Sequence, residues 1–141
     1  MEVTRILRIL VTILLVVTFI LVVVSAYGES REIGAMVRLS DATSSIVTRL
    51  ATNDLAWTDD KGVQHSYVLN ADLLERLEFK RSLGGDNFAF QVSIFSKHGD
   101  FENFGPRPPV GRMTCSLIAP AALWHVDRVV PARLKVVTWY L

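Results

Sequence analysis

The side chains best suited to acid–base, nucleophilic or metal chemistry are three histidines, His65, His98 and His125, and one cysteine, Cys115. Metal binding asks for paired imidazoles one helical turn apart or clustered thiols, and no two of these residues are so spaced. His125, in Trp124-His125-Val126-Asp127, is the one histidine flanked by an aromatic residue and an acid, and it reads as a strand histidine at a sheet surface. Cys115 lies in Met113-Thr114-Cys115-Ser116-Leu117-Ile118 with no neighbouring base, the setting of a small buried hydrophobe. As the lone cysteine it has no partner within the chain, which leaves an intermolecular disulfide open. Asp54, Asp59 and Asp60 offer oxygens to calcium, but the alternating Asp and Asn ligands and the closing Glu of a loop motif are missing. Asp59-Asp60-Lys61-Gly62 instead suits a tight turn. With no Gly-rich phosphate loop, nucleophile elbow or carboxylate pair, the sequence predicts no catalytic, cofactor-binding or metal-binding residue and a non-enzymatic role.

The elements around these residues begin with residues 9–28, ILVTILLVVTFILVVVSAYG, which carry no charge and follow Arg5 and Arg8. About twenty apolar residues at 1.5 Å rise cover the roughly 30 Å hydrocarbon core of a bilayer, whereas the apolar part of a cleaved signal usually spans about 7–15. Length favours a retained single-pass anchor. Val24-Ser25-Ala26, just before Tyr27, keeps open the alternative of signal-peptidase cleavage. Arg5 and Arg8 on the near side, against Glu29, Arg31 and Glu32 on the far side, predict a cytoplasmic N-terminus.

The remaining residues, about 110, suit one small extracytoplasmic domain. Fifteen basic and fourteen acidic residues give a net charge of +1 and no basic footprint, so no nucleic-acid partner is expected. Over residues 29–54, Ile33, Met36, Val37, Ala42, Ile46, Val47, Leu50 and Ala51 recur with helical spacing opposite a charged face. Nothing forces a stop between the two helical stretches, and Tyr27-Gly28 is the expected bend. Short strands are expected at 55–57 and 63–68 around the aspartate turn. A small helix follows at 70–78, capped by Asn70 and burying Leu73, Leu74 and Leu77. Phe88, Phe90, Val92 and Ile94 alternate as a strand does. Residues 101–111, FENFGPRPPVG, read as an exposed loop with Phe101 and Phe104 either tucked beneath it, the commoner outcome, or presenting an apolar contact surface. Three further strands are expected at 113–118, 121–126 and 133–141, separated at Pro120 and at Asp127-Arg128 with Pro131, the last docked in the sheet.

The expected fold class is α+β: a long N-terminal helix whose outer half packs on a small antiparallel sheet of four to six strands. Its parts are a transmembrane helix or signal anchor (1–28), an amphipathic extension (29–54) and a β-rich domain (55–141). This order of parts resembles the type IV pilin-like proteins. The phrases LATNDLAWTDDKG, SYVLNADLLERLE and APAALWHVDRVVPARLKVVTWYL are most similar to pilin-related, single-pass secreted proteins of archaea.

The resemblance implies a structural or assembly subunit at the cell surface. Its partners would be membrane lipid and, through the first helix, pilin-like subunits or other membrane proteins, as a homo-oligomer or filament. The alternative is an exported or anchored extracytoplasmic binding domain, released by signal peptidase, that uses the 101–111 loop.

Overall fold

The computed structural model describes residues 2–141. Its helix α1 spans Glu2–Arg49, and the chain divides into two compact units, one ending at Met36 and the other comprising Val37–Leu141.

In the first unit, residues 2–36 are helical throughout and exposed, with Ala35 half-buried. Gly28 is taken into the helix without a break, so the expected bend at Tyr27-Gly28 is not seen. Backbone hydrogen bonding on either side outweighs the roughly 1 kcal/mol by which a single glycine weakens a helix. The hydroxyls of Thr12 and Thr18 donate to the carbonyls of Arg8 and Leu14, both at 2.8 Å, so each is satisfied within its own helix.

In the second unit, the last turns of α1 bury Leu39, Ala42, Thr43, Ile46 and Val47, a stripe spaced by threes and fours. Ile33, Met36 and Val37, expected in that stripe, are exposed. At about 100° per residue, Ile33 and Val37 fall more than a quarter turn from the line through Leu39, Ile46 and Leu50. The helix ends in a π-turn, Leu50–Asp54, closed by Leu55 N–H donating to the Leu50 carbonyl at 2.8 Å. That wider turn puts Leu50, Ala51 and Leu55 into the core in succession.

Seven strands follow: β1 (Ala56–Thr58), β2 (Gln64–Leu69), β3 (Lys80–Leu83), β4 (Asp86–Ser96), β5 (Gly99–Phe104), β6 (Thr114–His125) and β7 (Arg128–Tyr140). A 3₁₀ helix, Ala71–Arg76, separates β2 from β3; Asn70 caps it, its side chain accepting from Asp72 N–H, and Leu74 is its fully buried residue. The sheet runs β1-β2-β6-β7-β4-β3, with β5 joining β4 on the edge that β3 leaves free. The purely antiparallel sheet expected from the sequence is corrected at one place. β2 runs parallel to β6, through Val68 opposite Ala122 and Leu69 opposite Leu123, because the chain enters β6 only after β3, β4 and β5 have been laid down.

The strand count exceeds expectation at β3 and β5. Lys80–Leu83 is a short polar strand with no apolar alternation, and β5 takes Phe101 and Phe104 out of the expected loop. Both phenylalanines are half-buried against the core. β6 is one strand rather than two, and β7 starts at Arg128 rather than Arg133. Pro120 and Pro131 were expected to break the chain. Each lies instead where its strand has a neighbour on one side only, so the missing N–H interrupts no ladder.

The core lies between the outer turns of α1 and one face of the sheet. It joins Ile46, Val47 and Leu50 to Phe90, Val92 and Ile94 of β4 and to Leu134 and Val136 of β7.

Candidate functional surfaces

Asp59 begins the β1–β2 turn. Its Oδ1 accepts from Lys61 N–H and Val63 N–H, both at 2.9 Å, which is the turn role read from the sequence. Its Oδ2 meets His65 Nε2 at 3.0 Å. The hydrogen bond to His65, followed by that from Val63, holds the Asp59 carboxyl below its ordinary value.

His65 also stacks on Trp57, with centroids 5.0 Å apart and planes at 24°. Trp57 in turn stacks on Trp124 at 4.0 Å and 14°. Three strands thus contribute to one aromatic column, His65–Trp57–Trp124, whose histidine end is held by a carboxylate. The neighbouring Tyr67 has a left-handed backbone (φ 64°), where β2 shifts register against β1 between Ala56 and Trp57. A residue other than glycine rarely takes that conformation, and it marks a locally strained bulge. Sequence reading singled out His65 and Trp124 separately. It missed their connection through Trp57, because strand order was not available to bring β1 and β6 to the same face.

The other two histidines meet one residue further along β6 from Trp124. His98, in the β4–β5 turn, stacks on His125, at the end of β6, with centroids 5.7 Å apart and planes at 18°. An open depression of about 470 Å³ lies beside His98, lined also by Lys97, Asp100 and Arg133. Among the described residues no group of three or more His, Cys, Asp or Glu is placed to hold a metal ion.

Asp54, weighed as a calcium ligand, is engaged by cations of the protein itself. Arg81 donates from Nη2 to its Oδ2, and Arg49 Nε stands 3.9 Å from the same oxygen. This ties the end of α1 to β3. Cys115 is a free thiol packed against the cluster of Leu39, Ala42 and Phe88, and it is half-buried rather than buried as the sequence reading expected.

The largest exposed apolar surface among the described residues is the first unit. Every large apolar side chain from Ile9 to Tyr27 is exposed, and helix α1 meets the length and composition of a membrane span. Arg31 lies over the Tyr27 ring, 5.6 Å from its centroid, an aromatic and cationic pair at the end of the apolar run. Comparison with known proteins finds no matching family model, no matching curated protein and no matching solved structure.

Proposed function

We propose that the chain is a non-enzymatic subunit held in the cell membrane by the first part of α1, with its β-rich domain outside the membrane. In this reading it is a pilin-like structural or assembly component of the cell surface. The carrying observation is that one helix supplies both the exposed apolar run and, at Leu39, Ala42, Ile46 and Val47, part of the domain's own core.

The physical chemistry of the run supports this. Valine and isoleucine lose side-chain freedom in a helix and are only moderate helix formers in water, yet they dominate residues 9–24. In hydrocarbon every backbone N–H and C=O must be satisfied within the segment, and a helix is the single-strand way to do it. Thr12 and Thr18, which return their hydroxyls to their own backbone, fit the same demand. The basic residues Arg5 and Arg8 keep the N-terminus cytoplasmic under the positive-inside rule. Lateral packing of α1 against copies of itself or against partner helices is the assembly step. The run has no Gly-xxx-Gly seam, so that packing rests on Val and Ile surfaces.

The test is the intact mass of the protein recovered from the membrane fraction of its host. A full-length mass supports the anchored subunit. Loss of about 26 residues overturns it in favour of a released extracytoplasmic binding domain.

A further inference from the structure

β6 pairs with β7 along its whole length, from Thr114 opposite Trp139 to His125 opposite Arg128. On its other edge it pairs only with β2, at Ala122 and Leu123. Among the described residues no backbone hydrogen bond reaches that edge over residues 114–121. A run of unpaired N–H and C=O groups on an accessible edge is a template for another strand.

The outermost strands of the sheet are guarded, and this edge is not. β1 has three residues, β3 carries Lys80 and Arg81, and β5 carries Asp100 and Glu102. Short length and edge charges are the devices by which proteins avoid edge pairing. Between Arg112 and Asp127 no Asp, Glu, Lys or Arg occurs. Leu117 is 37% exposed and Ile118 56% exposed, and because neighbouring residues of a strand point to opposite faces, apolar surface is open on both sides of the edge. A helix or small ligand covers one side; an added strand covers both and takes up the backbone groups.

We infer that this edge is a self-association site, at which residues 114–118 pair antiparallel with the same residues of a second copy. An uncharged stretch meets itself without like-charge repulsion, and a two-fold antiparallel pairing lets each copy supply the surface the other lacks. Pro120 defines the geometry. Having no N–H, it fits β6 with its nitrogen turned away from β7, and the strand's period of two then places the N–H groups of Thr114, Ser116 and Ile118 on the free edge. A pairing centred on Ser116 sets Thr114 opposite Ile118 and Cys115 opposite Leu117, and it leaves Pro120 outside the paired segment. The pairing is independent of the fate of α1 and adds a second contact to any packing of the first helix.

The experiment is residue-resolved amide hydrogen exchange on the full chain in detergent micelles at rising protein concentration, with particle mass measured in parallel. Exchange at Thr114, Ser116 and Ile118 slows by tenfold or more as copies associate. Ile118→Lys, a change at an exposed side chain whose folding is checked by circular dichroism, abolishes the slowing. Leu117→Cys with native Cys115 forms an inter-copy disulfide under mild oxidation, and Cys115→Ser in the same chain removes it. Concentration-independent exchange overturns the pairing, whether the particles stay monomeric or associate through α1 alone; the second result leaves the anchored-subunit reading standing. A cross-link undiminished by Cys115→Ser overturns the antiparallel register.

Discussion

Trp57 and Trp124 stack face to face, 4.0 Å between centroids, although β2 lies between their strands in the sheet. β2 meets β6 at only two residue pairs. The stack therefore supplements a short parallel ladder in holding the β1–β2 hairpin on the rest of the sheet. Trp124→Ala is expected to lower stability by about 2–3 kcal/mol, joining lost burial to the 0.5–1.5 kcal/mol of an aromatic pair. Denaturant unfolding of the full chain in detergent measures it, and loss of the tryptophan exciton signal in circular dichroism shows that the stack is gone.

The Asp59 carboxyl, held below its ordinary value of 3.8 chiefly by His65, sets an acid limb on stability. The folded state binds this proton more weakly than the unfolded state. The stabilisation is thus complete above pH 3.8 and lost as pH falls through the lower, folded value. Asp59→Asn is expected to flatten the fall in unfolding midpoint between about pH 5 and about pH 2. An unchanged limb would show that Asp59 is not linked to folding.

An arginine at Leu15 or Val16, near the middle of the apolar run, is expected to cost about 2.5 kcal/mol or more in the bilayer and to abolish integration. Extraction of membranes at alkaline pH reads the result. Variant protein that stays in the membrane pellet like the parent would contradict the anchor.

Gly105 follows β5 with φ +106°, and a Cβ there would stand 2.6 Å from Phe79 Cδ1 and 3.0 Å from the Phe90 carbonyl. Gly62, at φ +79°, has nothing within 4 Å. Gly62→Ala should cost about 1 kcal/mol for backbone strain alone. Gly105→Ala should cost about 2–3 kcal/mol, since the crowded ring must also move. Equal losses in urea unfolding would show that the Phe79 ring yields freely.

Thr138 is fully buried, and its hydroxyl has no hydrogen-bonding partner among the described residues. Thr138→Val keeps the shape and removes an unpaired polar group, so it is expected to stabilise by up to about 1 kcal/mol. A destabilised valine variant would reveal a partner for the hydroxyl.

The elements legible in the sequence were those with strong local signals. The uncharged run at 9–28, the helical periodicity that buries Ala42, Ile46, Val47 and Leu50, the Asn70 cap, the Asp59 turn and the alternation from Phe88 to Ile94 each depend on residues close together in the chain. Interactions between neighbours are enough to specify them. Other features depended on partners far away in sequence. Pro120 and Pro131 read as breaks because a proline forbids a ladder bond; whether a bond is needed at that place is decided by whether a second strand pairs on the strand's other edge, and none does there. The polar strand Lys80–Leu83 is a strand only because the Asp86–Ala89 edge of β4 offers it hydrogen bonds. The parallel contact of β2 with β6, the column His65–Trp57–Trp124 and the open edge at 114–121 likewise exist only once strand order is set. Strand order follows from burying the apolar faces of all the elements together, a condition on the whole domain rather than on any segment of its sequence.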